Sequence, residues 1–493
     1  MNPTWRDRVC VGASAVLAMV LGLELAEGSL EWPLIVAALS LASVGLRFVR
    51  ISFDVLLLGG LLAGYLIGNR GFAQLMLAPR FPLLPAEFVL LVAAAIQTWR
   101  HARSGMLPWR KDAINFAILA WMAVGAARIA LDARAFGLVA VRDFAIVYYA
   151  SFFFLAQSAA SAPRARDYLL RCILFGSACL PFVLLATELF PDFFLSTLSF
   201  RGSPLIYFKG DIAPTFMCVA SAFIFLNTPR QFRWWARPLA CAMVLWVLAG
   251  DNRASILGAV AMLTWIAISR ERSFAWLQAG VASLALLALV AFAAWSQNPA
   301  AEHRLRTITD RTLSIVDFNG VFSYRSPDSS IKADNNLFRA IWWKSVINET
   351  LSKGPVFGLG FGHDLAQGFL RNYNPEMADD FTARSPHNLL VTIFGRMGLV
   401  GLAPFLAFLF ALTIRTHRHL TNATADQVGL TLWSAPWPIL VASMLGVVLE
   451  GPMGAVVFWT LLGLANGYGD SPSPGLAMHD EGAHASPRKQ RIA

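Results

Sequence analysis

The chain has 493 residues, 57% of them apolar and only 14% charged, with a formal net charge of +10. That balance excludes an ordinary soluble globular domain, and apolar runs of about 20 residues, the length that crosses hydrocarbon, recur along nearly all of it. The positive excess does not read as a nucleic-acid surface, because the basic residues are spread over short connections instead of gathered on one face.

In chain order, candidate spans lie near residues 9–28, 30–46, 51–68, 83–99, 112–131, 137–160, 168–190, 212–227, 238–250, 254–269, 275–296, 388–414, 428–448 and 453–468. The expectation is an all-α polytopic membrane protein with about 12–14 transmembrane helices and one large loop. Residues 1–296 form the first helical region, 297–387 a loop domain, 388–468 the C-terminal helices, and 469–493 a polar, basic tail too poor in apolar surface to order itself. The first apolar run is long and lacks a small-x-small cleavage pattern, so it is expected to remain as an anchor.

Orientation follows from the basic clusters, since short loops rich in Lys and Arg are retained on the cytoplasmic side. Arg6 and Arg8, Arg47 and Arg50, Arg100 and Arg103, Arg164 and Arg166, Arg230 and Arg233, Arg270 and Arg272, and Arg415 and Arg418 fall at every second gap. Both termini are therefore expected inside. Residues 191–211, the turn at 250–253, the segment 297–387 and Glu450-Gly451-Pro452 are expected to share the outer face. The five cysteines, Cys10, Cys172, Cys179, Cys218 and Cys241, lie in or beside spans and imply no disulfide framework.

Within the long loop, Phe338, Ile341, Trp342, Ser345, Val346 and Leu351 suit one face of an amphipathic helix. Such a helix suits the membrane interface or simple packing of the loop onto the bundle. The run Gly354 to Gly362 lacks the Lys-Ser/Thr ending of a nucleotide P-loop, and reads as a tight, close-packed turn. Asp379-Asp380 is read as a solvated pair, and no trusted metal site is seen, so neither metal nor cofactor is expected.

Four residues carry the candidate chemistry. Arg253 stands at the positive end of a helix that Asp251 or Asn252 can cap, a position that suits an anion or a lipid headgroup. Arg339 opens the amphipathic helix, and Arg201 lies with Lys209 in the loop before the span at 212–227. Guanidinium forks match phosphate oxygens, so Arg201, Arg253 and Arg339 together would clamp a pyrophosphate. His387 follows Ser385-Pro386 at the head of a span, where it suits a cap, a surface residue or a proton acceptor for a hydroxyl.

Three stretches then carry a resemblance. Gly250-Asp251-Asn252-Arg253-Ala254 sets an arginine between two spans; Arg339 to Gly360 holds an Arg-x-x-Trp helix followed by Gly-Pro-x-x-Gly-x-Gly; His387 to Gly401 opens a span with His-Asn and includes Gly-x-x-Gly. The arrangement resembles the O-antigen ligase and O-antigen polymerase superfamily of bacterial envelope glycosyltransferases. The resemblance implies metal-independent transfer of a glycan from an undecaprenyl pyrophosphate carrier to an acceptor hydroxyl, on the periplasmic side of the bacterial inner membrane. It also implies His387 as base, with Arg253 and Arg339 on the pyrophosphate. The chain departs from the pattern at Asn252 and Ala254, where the family usually has a hydroxyl residue and glycine, and at Arg396, where it often has an acidic residue. The acceptor implied is a lipid A core sugar for a ligase, the growing glycan for a polymerase, or a protein hydroxyl for an oligosaccharyltransferase relative. A lipid-linked oligosaccharide flippase is the rival from another class, and Arg142-Asp143 inside a span is the feature that favours it.

Overall fold

A computed structural model describes residues 51–76, 83–104, 109–250, 252–269, 327–373, 383–422 and 426–468. The expected spans near 9–28, 30–46 and 275–296, the stretch 297–326, Asp251, the Asp379-Asp380 pair and the basic tail lie outside those residues. Among the described residues the chain is helical almost throughout. In order come α1 (Phe53–Ala73), α2 (Pro85–Ser104), α3 (Ala113–Phe136), α4 (Leu138–Ala160, with tight turns at Phe144 and Tyr149), α5 (Pro163–Leu189), α6 (Ile212–Asn227), α7 (Arg233–Ala249) and α8 (Arg253–Ile268). After them come α9 (Pro327–Lys353), α10 (Gln367–Tyr373), α11 (Leu389–Thr421), α12 (Gln427–Ser434), α13 (Pro436–Ser443) and α14 (Pro452–Tyr468). An antiparallel hairpin, β1 (Ser199–Phe200) and β2 (Ser203–Pro204), lies between α5 and α6.

The helices α1, α3, α4, α5 and α11 are each long and apolar enough to cross a membrane, which makes the chain an all-α polytopic membrane protein. The segments Ile212–Asn227 and Arg230–Ala249 meet at a bend of 119°. The stretch expected as one span at 428–448 is instead two short helices, α12 and α13. Pro436 and Pro438 have no N–H to donate to the preceding turn, and the helix divides at Ala435.

The two ends of the bundle differ in chemistry. At one end Arg100 pairs with Asp54 at 2.7 Å, Arg110 donates to the carbonyls of Asn466 and Gly467 at the last turn of α14, and Arg166 lies over the Tyr468 ring. A knot of Asp112, Asn115, Gln157 and Asn466 fastens α3, α4 and α14 there. The middle is aromatic: the Trp121 ring packs at a tilt against Phe405 and Trp459, 5.0 Å and 6.0 Å between centroids, both tryptophans being fully buried. The opposite end carries the 199–211 loop, the head of α8, the 383–388 loop and Glu450.

Beside that end, α9 and α10 enclose a second small core of Trp342, Val346, Leu365, Ala366, Phe369 and Leu370. The buried stripe of α9 runs through Phe338, Trp342, Val346 and Thr350, one residue every four. Ile341 and Leu351, expected on the same face, are exposed, because a strict four-residue step leaves them on the far side of the helix.

Candidate active site

The loop ahead of α11 is held from three directions. Ser385 Oγ donates to Glu450 Oε1 at 2.6 Å, Thr392 Oγ1 donates to the same oxygen at 3.1 Å, and Trp343 Nε1 donates to Pro386 O at 2.6 Å. Glu450 is partly buried in this knot, and desolvation pushes its carboxyl above the ordinary carboxylate range despite the two hydroxyl donors. Asn388 is the helix cap, its side-chain oxygen accepting from Val391 N at 3.1 Å. His387 is pinned between these anchors with φ 57, a left-handed backbone that costs a residue with a β-carbon about 1–3 kcal/mol. Strain of that kind persists only where the surroundings over-determine it, and here they do.

The His387 ring stands edge-on to the Trp342 indole, 5.8 Å between centroids. Burial, then the positive charges of Arg339 and Lys209, pull its pKa down to about 4, while Asp211 and a hydrogen bond donated by the imidazole to the Ser385 backbone oppose them. The imidazole is therefore neutral at physiological pH and able to accept a proton. This predicts a pH profile. If His387 is the base, kcat/KM falls on the acid side only as pH drops through the histidine's own value, near 4. In Lys209→Met one positive charge is lost, the imidazole protonates more easily, and the acid limb moves to higher pH. An unmoved limb in that variant would dissociate His387 from the profile.

The cations come from separate segments. Arg339 Nη1 donates to Leu445 O at 2.9 Å; its burial lowers the guanidinium's pKa and Asp211 restores part of it. Lys209 Nζ pairs with Asp211 Oδ2 at 2.9 Å, and Asp211 Oδ1 is buried without a hydrogen-bond partner among the described residues. Asn69, at a left-handed break in α1, accepts from the Lys209 N–H at 3.0 Å and so ties this loop to the bundle. Arg253 is the first residue of α8. Its neighbour Asn252 caps the helix through Ser255 N at 2.9 Å and donates to Gly210 O at 3.1 Å, which sets the N-terminus of α8 against the Lys209–Asp211 loop.

His387 and Arg339 are thus brought together directly, and Arg253 is brought to the same loop through Asn252. Arg201 is elsewhere. It occupies the exposed turn between β1 and β2 with φ 51, its guanidinium 5.2 Å from the Phe200 ring centre, and it is not among the charges that act on His387. Lys209 was legible only as a loop lysine, and Asp211 and Glu450 were not singled out. The usable signal was Lys209-Gly210-Asp211 standing at the head of an apolar helix.

A second network locks the glycine-rich loop. Asp132 accepts from Phe361 N at 2.7 Å and Asp143 from Gly362 N at 3.1 Å, while Arg396 pairs with Asp143 at 2.9 Å and donates to the carbonyls of Gly360 and His363. Arg384 donates to Gly362 O at 2.7 Å and pairs with Asp364 at 3.3 Å. Gly360 has φ 99, and a β-carbon there would sit within 3 Å of Arg128 and Asp132. Across from it α11 breaks at Gly398, φ 61, so that Leu359 N and Gly360 N reach Gly395 O and Arg396 O while Leu399 N and Val400 N reach Pro355 O and Val356 O. The two glycine motifs are thus the halves of one clasp, as a tight and close-packed turn requires. Arg396 is the pin of that clasp, and Asp143 serves it from α4.

Residues 238–406 match a family model described as O-antigen ligase. That span contains Arg253, Arg339, His387 and both halves of the glycine clasp. No curated protein matches the chain. Over residues 238–406, about a third of its length, the chain is thus similar to the O-antigen ligase family of membrane glycosyltransferases.

Proposed function

We propose that the protein transfers a glycan from an undecaprenyl pyrophosphate carrier to a hydroxyl of a lipid A core sugar, without a metal ion, at the periplasmic face of a bacterial inner membrane. The observation that carries this reading is a neutral, half-buried imidazole flanked by Arg339 and Lys209. His387 removes the acceptor's proton as its oxygen attacks the anomeric carbon. The bond from that carbon to the pyrophosphate oxygen breaks, and the carrier leaves as undecaprenyl pyrophosphate. Arg339, Lys209 and Arg253 balance the charge on the leaving group, and the head of α8 adds its aligned N–H groups. Arg201, on the exposed hairpin turn, is the outermost of the proposed donor contacts.

Polymerisation by the same chemistry, with the growing glycan as acceptor, is the second reading, since the matched family supports both. A transporter is less well supported. Asp143, the intramembrane acid that favoured it, serves the glycine clasp by accepting from Gly362 N and pairing with Arg396.

The test is Arg253→Lys, read on a gel of surface glycan. A lysine keeps the charge but cannot grip two phosphate oxygens with one planar fork, so most of the activity is expected to be lost. Full-length chains left on the carrier with bare lipid A mark a ligase. Single repeat units on lipid A mark a polymerase, and an intact ladder removes Arg253 from the clamp.

A further inference from the structure

The turn that joins α6 to α7 gathers three arginines at the end of the bundle away from His387. α6 starts beside the Lys209–Asp211 loop, and its 16 residues carry the chain about 24 Å to the far end, where Arg230, Arg233 and Arg237 follow. That end is the one fastened by the Asp112 knot. Arg233 Nη2 reaches Gln427 Oε1 at 3.5 Å, and the neighbouring Asp426 accepts from Tyr468, whose ring lies under Arg166. Thr228 fixes the turn, its hydroxyl donating to Ile224 O at 2.6 Å and its carbonyl accepting from Arg233 Nε at 3.1 Å.

These guanidiniums meet no acid among the described residues. The sequence has no Asp or Glu between Asp211 and Asp251, and Arg233 stands in the field of Arg230 and Arg237 with no carboxylate among the charges that act on it. The contacts they make are neutral: a carbonyl and a side-chain amide for Arg233, and for Arg237 the Phe225 ring, 5.2 Å from its guanidinium carbon. Arg237 Nε is buried and has no hydrogen-bond partner among the described residues. At the same end Arg100 has Asp54, and Arg110 has two helix-terminal carbonyls. Retention of a loop on one side of the membrane needs positive residues near a span end, but not three crowded together without an anion. Between them, Phe232 and Trp234 are 45% and 79% exposed, and such aromatics settle at the level of lipid headgroups. We propose that Arg230, Arg233 and Arg237 bind the phosphate of an anionic phospholipid in the leaflet at this end, with Phe232 and Trp234 set among its headgroups. Planar forks match phosphate oxygens, and the bound anion relieves the repulsion among the three cations. The site stands a helix length from the imidazole and is independent of the transfer reaction.

The test uses the purified full chain, stripped of lipid in a neutral detergent and then given phosphatidylglycerol or phosphatidylcholine with the same acyl chains. Bound lipid is counted by native mass spectrometry. The parent is expected to hold the anionic lipid in preference to the zwitterionic one, and Arg233→Gln with Arg237→Gln to lower that preference about thirtyfold, the effect of two basic residues at a lipid surface. Arg415→Gln with Arg418→Gln removes the same charge at two exposed arginines of α11 and is expected to leave the preference unchanged. Equal losses in the two double variants would make the effect one of net charge and overturn the site. A parent that shows no preference would overturn it too, whether or not the variants fold. Inorganic phosphate is added as a competitor and is expected to displace little of the lipid. If it abolishes the preference, the cluster takes a free anion and the lipid site is refuted.

Discussion

His387→Asn is expected to reduce glycan transfer by about two to four orders of magnitude, the contribution of a general base, while the protein stays folded. Asparagine is the right replacement because the position has φ 57, a region that Asn enters more readily than most residues with a β-carbon. An alanine would confound loss of the base with added backbone strain. The amide cannot take up a proton at neutral pH, yet it is small enough to keep the loop pinned by Ser385, Trp343 and Asn388. The assay is transfer from a polyprenyl pyrophosphate donor by the purified chain, with thermal melting in detergent as the control for folding. Transfer within tenfold of the parent, with an unchanged melting curve, would show that the proton leaves by another route.

The second large effect is on stability. Arg396→Met is expected to cost about 3–5 kcal/mol, the range for breaking a buried ion pair by removing one partner. Arg396 is 3% exposed, and its loss leaves Asp143 with Gly362 N and longer contacts to Arg384 at 3.6 Å and Arg142 at 3.8 Å, while the carbonyls of Gly360 and His363 lose their donor. The melting temperature in detergent should fall by roughly 3–5 °C for a loss of that size. Adding Asp143→Asn should cost less than the two single changes together, because each removes part of the same network. Strict additivity, or a melting curve that does not move, would mean that the clasp is held by its backbone bonds alone. The two predictions separate cleanly: His387 acts on turnover, Arg396 on the frame that carries it.

Much of this was legible in the chain itself. Apolar runs of span length and sparse charge sufficed for the all-α membrane class, because hydrocarbon admits only segments that satisfy their own backbone hydrogen bonds. The motifs around Arg253, Arg339 and His387 pointed to a family, and Asn252 read correctly as one of two candidate caps. Other features were invisible, for identifiable reasons. That Asp143 would serve Gly362 and Arg396 depended on a contact spanning more than 200 positions, and local pattern could only pair it with its neighbour Arg142. Lys209 and Asp211 looked like ordinary loop charges until Asn69, Asn252 and Ser255 fixed their loop against α1 and α8. Arg201 and Lys209 shared one loop in the sequence, yet the β1–β2 hairpin carries the arginine to an exposed turn.

Solvent and helical class, then, were set by composition, and a family resemblance by short motifs. Which charges stand beside the imidazole, and how far they drag its proton affinity, was decided only by tertiary structure. Burial and Coulomb fields depend on distance in space, and the groups concerned are contributed by helix ends far apart in the chain.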